Sequence, residues 1–314
     1  MKKIIPADKA SSLSRAARIL RRGGLVAFPT ETVYGLGADA SNPRAVARIF
    51  EVKKRPSFDP LIVHVASIQE AKRLWKKTPA LAEKLMKKFW PGPLTLVLPK
   101  SGKVPDIVTA GLPTVAVRCP RHPAALALIR ALGRPIAAPS ANPFGRTSPT
   151  AARAVFEDLG KKIDLILDGG PAAVGVESTV VKIGRGRGTL LRPGGISLEE
   201  LRKILPVSFK KKKTRGTFES PGLPESHYAP RTPLFLWRGP VAGPPRSPRV
   251  GVLSPAVLSP RGDLREVASK LFQTMRELDK MRLDRIVALP VPEKGLGLAI
   301  MDRLRRASAG KWMK

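Results

Sequence analysis

Lys53 and Arg55 flank Lys54 and precede Pro56, at the end of a segment with helical spacing. Proline cannot continue a helix, so both cationic heads can leave the helix end and reach into a cleft. Arginine brings a planar fork suited to phosphate, and lysine a compact charge. Two solvated cations favouring a helix C-terminus are the plain reading, and these residues alone leave both open. Thr30, Thr32 and Tyr34 form a second group, in Pro29-Thr-Glu-Thr-Val-Tyr-Gly-Leu-Gly37, directly after the apolar run 25–28. Side chains at the end of a buried strand can face the crevice where open α/β sheets hold ligands. Gly35 and Gly37 would let a backbone approach closely, although a hydroxyl-rich turn accounts equally well for the segment. Ser140, Asn142 and Ser148 lie in Ala138-Pro-Ser-Ala-Asn-Pro-Phe-Gly-Arg-Thr-Ser-Pro149, again after a strand-like run. Turn chemistry explains Ser and Asn there, but two strand-end turns of this kind in one domain suit an anionic, phosphate-bearing ligand.

Arg118 ends the apolar alternation Thr114-Val-Ala-Val-Arg118 and either snorkels to solvent or faces a ligand carboxylate bidentately. His64 lies on the apolar run 61–65, where a lone histidine is usually a hydrogen-bonded core residue. No second His or Cys stands at metal-ligand spacing, so protein-held zinc is not expected. Ser178 and Arg192 repeat the pattern of hydroxyl and cation at strand ends. The chain has no Walker A lysine loop and no complete dinucleotide fingerprint, which excludes a standard P-loop or Rossmann site.

The elements that must position these groups read as an α/β fold with a mixed sheet. Helical spacing over 12–22 ends at Gly23-Gly24, and Asn42-Pro43 opens a helix that ends near Lys53. Strands are expected at 25–28, 61–65, 94–98, 114–118, 136–138, 165–167, 179–183 and 189–191. Helices are expected at 67–76, 79–89, 122–132, 150–158 and 197–205, the last opened by a capping box of Ser197 and Glu200. Residues 1–205 thus form a first domain. Residues 206–248, rich in proline and carrying Lys210 to Lys213 in a row, read as a linker. Residues 249–314 supply a small α/β unit, with strands at 249–253 and 284–290 and helices at 263–280 and 298–307.

With 57 Lys and Arg against 24 Asp and Glu, the net charge of +33 attracts polyanions, so ATP, tRNA or other RNA are natural partners. A thermophilic or generally basic surface would give the same balance. Aromatic residues make up only 5%, which argues against a single-strand binder built on stacked bases. The single Cys119 excludes internal disulfides and cysteine-rich zinc modules. No window approaches the roughly 20 apolar residues of a membrane span, and the N-terminus lacks a signal-peptide core. The expectation is a cytoplasmic protein with no membrane partner.

The joint occurrence of Pro29-Thr-Glu-Thr-Val-Tyr-Gly-Leu-Gly37, the Lys53 and Arg55 pair, Pro60-Leu-Ile-Val-His64, Trp90-Pro-Gly-Pro-Leu-Thr95, Arg118, Pro139-Ser-Ala-Asn142 and Glu177-Ser-Thr-Val180 resembles the YrdC-like family, the threonylcarbamoyl-AMP synthases, in its long two-domain form. The likeness covers 10–205, extends through 220–230, and returns at Gly295-Leu-Gly-Leu-Ala-Ile-Met-Asp-Arg-Leu304. It implies a YrdC-like twisted mixed sheet followed by a smaller Rossmann-like α/β domain. It also implies the reaction of L-threonine, bicarbonate or carbon dioxide, and ATP to give threonylcarbamoyl-AMP and pyrophosphate, for a threonylcarbamoyl-transferase machinery that modifies tRNA.

By that resemblance Thr32, His64, Arg118, the Ala138 backbone and Ser178 form a threonine pocket, with Arg118 on the carboxylate. Lys53, Arg55, Asp59, Thr114, Ser140, Asn142, Ser148 and Arg192 surround ATP, Lys53 and Arg55 countering phosphate charge as the catalytic cations. Tyr228, with His227 and Arg231, folds over the nucleotide, making 220–231 a lid. Mg²⁺ rides mainly on the ATP phosphates. Three departures stand out: Asp59 and Met301 occupy positions where Asn is usual, and the second domain looks short by a strand-helix unit. A competing reading is a basic RNA-binding protein without turnover. A third, carbamoyl transfer in hydrogenase maturation, conflicts with the single cysteine.

Overall fold

In the computed structural model, which describes residues 3–209, 227–239 and 247–313, the strands gather into two sheets. Up to residue 209 the order is β1 (Ile4–Pro6), α1 (Ala10–Arg21), β2 (Val26–Phe28), β3 (Gly35–Asp39), α2 (Pro43–Lys53), β4 (Ile62–His64), α3 (Ile68–Lys72), α4 (Ala80–Phe89), β5 (Leu94–Pro99), α5 (Asp106–Thr109), β6 (Thr114–Arg118), α6 (Pro123–Leu132), β7 (Ile136–Ala138), α7 (Ala152–Leu159), β8 (Leu165–Asp168), β9 (Thr179–Ile183), β10 (Gly188–Arg192), α8 (Leu198–Arg202) and β11 (Val207–Ser208). There follow β12 (Leu234–Trp237), β13 (Val250–Leu253), α9 (Pro255–Leu258), α10 (Leu264–Lys280), β14 (Arg285–Ala288), α11 (Gly297–Ala307) and β15 (Trp312–Met313).

The first sheet has the order β1-β8-β2-β3-β7-β4-β6-β5-β9-β10-β11 and mixes parallel with antiparallel neighbours. The second is β13-β14-β12-β15, with its paired strands parallel. Side chains alternate across each strand. On β4, Val63 joins the core beneath α2, α3 and α4, while Ile62 packs on the other face with Val97, Ala116 and Val180. That second face, at the middle of the large sheet, carries the site.

Local signals act as read where they are local. Asn42 caps α2 by accepting from the Arg44 and Ala45 amides, with Pro43 at the first helical position, and the Ser197 and Glu200 capping box opens α8. Three expectations need correction. Gly35 to Gly37, read as the end of a turn of hydroxyls and glycines over 29–37, lie on β3, a hairpin partner of β2. The space beside Gly37 is taken by core side chains, since a Cβ there would lie 2.8 Å from Ile136 and 2.9 Å from Phe28. Its lack of a side chain serves packing rather than a ligand. The segment read as a linker contains β11, paired with β10, and β12, a central strand of the second sheet. Proline-rich flanks hid the short apolar run of β12. The Lys210 to Lys213 run and residues 220–226 of the expected lid lie outside the described residues.

The two sheets share packed contacts. The apolar cluster of α10, α11 and β14 runs on through Tyr228 to Val33 and Val176 of the first half. Arg276 on α10 pairs with Asp158 on α7 and donates to the Thr147 carbonyl.

Candidate active site

A cavity opens where the ends of β4, β6, β7 and β9 meet residues 227–228. It is lined by Thr30, Thr32, Val33, Gly35, Arg55, Ile62, His64, Arg118, Ala138, Pro139, Ser140, Glu177, Ser178, Arg192, His227 and Tyr228. Nine of the expected site residues are therefore brought together: Thr32, Arg55, His64, Arg118, Ala138, Ser140, Ser178, Arg192 and Tyr228. Lys53, Asp59, Thr114, Asn142 and Ser148 lie outside that lining. Thr114 stands on β6, two strand positions from Ala116 and on the same face as Arg118.

Arg118 is buried. Its Nη1 donates to the Thr32 hydroxyl at 2.8 Å and its Nε to the Gly92 carbonyl at 3.3 Å. Its Nη2 is 2.8 Å from Glu31 Oε1, an ion pair without an aligned hydrogen bond. Glu31 Oε2 accepts from the Arg121 amide, which fixes the carboxylate in place. Thr30 and Thr32 share a hydroxyl contact of 2.9 Å, and Ser178 and Thr95 share one of 2.7 Å. His64 faces this group, and burial, then the Arg118 charge, lowers its pKa to about 3. The imidazole is thus neutral at physiological pH, with Nδ1 lacking a protein partner. Beside Arg118, the Cys119 thiol is pushed up to about 12 by burial, then by Glu31, and remains an inert, protonated group.

Arg55 and Arg192 add two further cations to the lining. Arg55 Nε donates to the Asp59 carbonyl at 3.0 Å, Nη2 donates to the Pro60 carbonyl at 2.8 Å, and Nη2 lies 2.9 Å from Asp59 Oδ1. Burial raises the Asp59 pKa against the opposing pull of Arg55, and its Oδ2 has no protein partner. Lys53 lies behind the lining: its ammonium donates to the carbonyl of the lining residue Ser140 at 2.6 Å and to the Asn142 carbonyl, tying the turn after β7 to the end of α2. Burial, then Arg55, holds its pKa well below that of a free lysine. Asn142 donates to the Pro143 and Arg146 carbonyls while its Oδ1 has no protein partner. Arg192 donates to the Ser178 carbonyl at 3.0 Å. Its turn fits tightly, since a Cβ on Gly194 would lie 2.3 Å from the Glu177 carbonyl.

Residues 227–230 close the cavity. The Ala229 amide donates to Gly145 O, the Thr147 hydroxyl donates to Tyr228 O, and the His227 amide donates to Arg306 O. These bonds hold Tyr228 at φ +65°, a left-handed conformation costly for a bulky residue. Its ring stacks on Phe272 at 5.6 Å and lies 4.1 Å from the His227 ring, and its hydroxyl has no protein partner. Arg231 is exposed, and its amide donates to Asp279 Oδ2. The cavity left inside is about 50 Å³. A nucleotide-sized ligand needs roughly 300 Å³ or more, so the cavity must widen to admit one.

The geometry therefore offers a carboxylate-binding group at Arg118, a row of hydroxyls, and two further cations, Arg55 and Arg192. Orphaned buried polar atoms of His64, Asn142, His227, Tyr228 and Asp59 cluster around it.

Comparison with known proteins decides the family. Residues 18–194 match the Sua5/YciO/YrdC model described as "Telomere recombination", and residues 196–309 match the model "Threonylcarbamoyl-AMP synthase, C-terminal domain". The chain belongs to the Sua5 branch of the YrdC-like threonylcarbamoyl-AMP synthase family. It is 46% identical to the threonylcarbamoyl-AMP synthase of Pyrococcus abyssi, over 95% of this chain and 94% of that one. It is 45% identical to that of Bacillus subtilis, over 95% and 93%. The crystal structure of P. abyssi Sua5 complexed with L-threonine superposes with a TM-score of 0.86 at 44% identity, covering 96% of this chain and 95% of that one. The α/β architecture with a second α/β unit is that of Sua5 proteins.

Two carboxylates of this Sua5-type site, Glu177 in the cavity lining and Glu31 behind Arg118, were not singled out from sequence. In a chain with so few carboxylates, two within hydroxyl-rich motifs were the available signal.

Proposed function

We propose that this cavity joins L-threonine, bicarbonate or carbon dioxide, and ATP into threonylcarbamoyl-AMP, releasing pyrophosphate, as the first step of tRNA threonylcarbamoyladenosine modification. The observation that carries the reading is a single cavity lined by Arg118, whose Nη2 makes an unaligned ion pair, and by two further cations, Arg55 and Arg192. Arg118 receives the threonine carboxylate, and Thr32, Ser178, neutral His64 and the Ala138 backbone surround the amino acid. Arg55, Arg192, Ser140, Asn142 and Ser148 face the nucleotide. Lys53 supports them by fixing the turn that carries Ser140 and Asn142.

Threonine's amine takes up carbon dioxide as a carbamate, and a carbamate oxygen attacks the α-phosphorus in line while pyrophosphate leaves. Such a displacement requires no covalent protein nucleophile, so positioning and charge stabilisation supply the catalysis. Among the described residues no three His, Cys, Asp or Glu side chains gather as a metal site. That donor set fits Mg²⁺ carried by the triphosphate and water, where it would offset phosphate charge. His227 and Tyr228 act as a lid that shields carbamate and adenylate from water. The +33 charge supports contact with tRNA, and the cytoplasm supplies these substrates.

Calorimetric titration with L-threonine tests the assignment of the pocket. One site is expected in the wild type and none in Arg118→Ala. An undiminished titration in the variant would move the amino acid elsewhere.

A further inference from the structure

Arg303 is fully buried on α11, in the second half of the chain, and each nitrogen of its guanidinium has a partner. Its Nε donates to Glu177 Oε2 at 2.6 Å, Nη2 to the Pro193 carbonyl at 3.0 Å and Nη1 to Asp302 Oδ2 at 2.6 Å. The guanidinium carbon lies 5.0 Å from the centre of the Tyr228 ring, within cation-π range. Glu177 passes the contact on, because its Oε1 accepts the Ser148 hydroxyl at 2.6 Å. Burial alone would push the Glu177 carboxyl up, yet the Arg303 and Arg192 charges hold it below its ordinary range, so it stays an acceptor for Ser148.

One side chain of the second unit thus touches two residues of the cavity lining, Glu177 and Tyr228, and the turn after Arg192. An arginine that served only to join the two units would have no reason to end its hydrogen-bond chain on a hydroxyl beside the cavity and its flat face on the lid. We propose that Arg303 is a positioning residue for the nucleotide subsite, fixing Ser148 through Glu177 and the closed position of Tyr228 through its ring. The second unit is then a working wall of the active site. This rests on the assignment of Ser148 and Tyr228 to the nucleotide side.

Arg303→Lys, Glu177→Gln, Ser148→Ala and the double variant Ser148→Ala with Arg303→Lys test it in the full-length protein. ATP and L-threonine affinities are read separately by calorimetry, with a melting curve for each variant. Lysine keeps the charge and loses the fork. Arg303→Lys is expected to weaken ATP about tenfold, the scale of one charge-assisted hydrogen bond, and threonine less than about twofold. The double variant should be no weaker for ATP than the worse single one, as coupled residues are not additive. An Arg303→Lys protein that melts normally and binds ATP as the wild type does overturns the proposal, as do multiplicative losses in the double variant. Parallel loss of both ligands in step with a lowered melting temperature also overturns it, by showing a structural role. Glu177→Gln gives the same reading if Arg303→Lys does not fold. Wild-type ATP affinity in Ser148→Ala would instead remove the subsite assignment while leaving the Arg303→Lys result to stand or fall separately.

Discussion

Glu31 holds Arg118 through a buried ion pair of 2.8 Å, at the corner where a substrate carboxylate would dock. The pair lacks an aligned hydrogen bond, so a ligand carboxylate can satisfy Nη2 without displacing the bonds to Thr32 and Gly92.

Removing one partner of a buried pair leaves the other charge uncompensated. Glu31→Gln should therefore destabilise the protein by about 3 kcal/mol. Saturating L-threonine supplies a replacement carboxylate and should raise the melting temperature of Glu31→Gln more than that of the wild type. Equal increments in the two proteins would show that Arg118 does not meet the substrate carboxylate.

Asp59 places a carboxylate against Arg55, a cation of the cavity lining that we propose for the nucleotide. Asp59→Asn keeps the shape and removes the competing charge. The expected result is tighter ATP binding by roughly fivefold, on the scale of ~1 kcal/mol for a screened charge some ångströms away. A weaker ATP complex would mean that the carboxylate serves the nucleotide.

Both buried histidines, His64 and His227, have lowered pKa values, chiefly from burial. Below their ordinary value of 6.5 the unfolded chain takes up protons that the folded chain refuses, so stability falls as pH falls. Each group contributes a slope of at most about 1.4 kcal/mol per pH unit. Denaturant unfolding between pH 6.5 and 5 should show this loss, and His227→Gln should reduce the slope by about half. An unchanged slope would show that His227 is protonated in the folded state.

The Tyr228 ring lines the cavity, and its strained backbone is held by the Thr147 hydroxyl and, through the next amide, by Gly145. Tyr228→Ala should open the site to water. Threonylcarbamoyl-AMP recovered per pyrophosphate released is expected to drop by about threefold or more as the adenylate hydrolyses. Unchanged coupling between the two products would remove the shielding role.

Much of this architecture was legible because its signals are local. Asn42-Pro43 states a helix start, Thr114 to Arg118 states an alternating strand, and each matches the folded element. β3 was hidden because glycines replace the apolar alternation where Phe28 and Ile136 pack against it. β12 was hidden because its burial depends on α11 and β14, far along the chain. The same limit applies to the site. Arg118 announced itself by ending an apolar strand. Glu31, Glu177 and Arg303 act through partners 87, 29 and 126 positions away, as with Arg118, Ser148 and Glu177, and spacing cannot show them. Lys53 was read as a free head at a helix end, whereas tertiary packing turns it onto two carbonyls.

Pyrophosphate release from ATP in bicarbonate buffer, with and without L-threonine, for wild type and Arg118→Ala, tests the central claim most directly. Release that depends on threonine in the wild type and falls at least about 30-fold in the variant at subsaturating threonine is expected, from loss of a charge-assisted contact worth ~2 kcal/mol or more. Release indifferent to threonine, or no release alongside salt-sensitive binding of arbitrary RNA, would contradict a threonylcarbamoyl-AMP synthase and favour a basic RNA-binding protein.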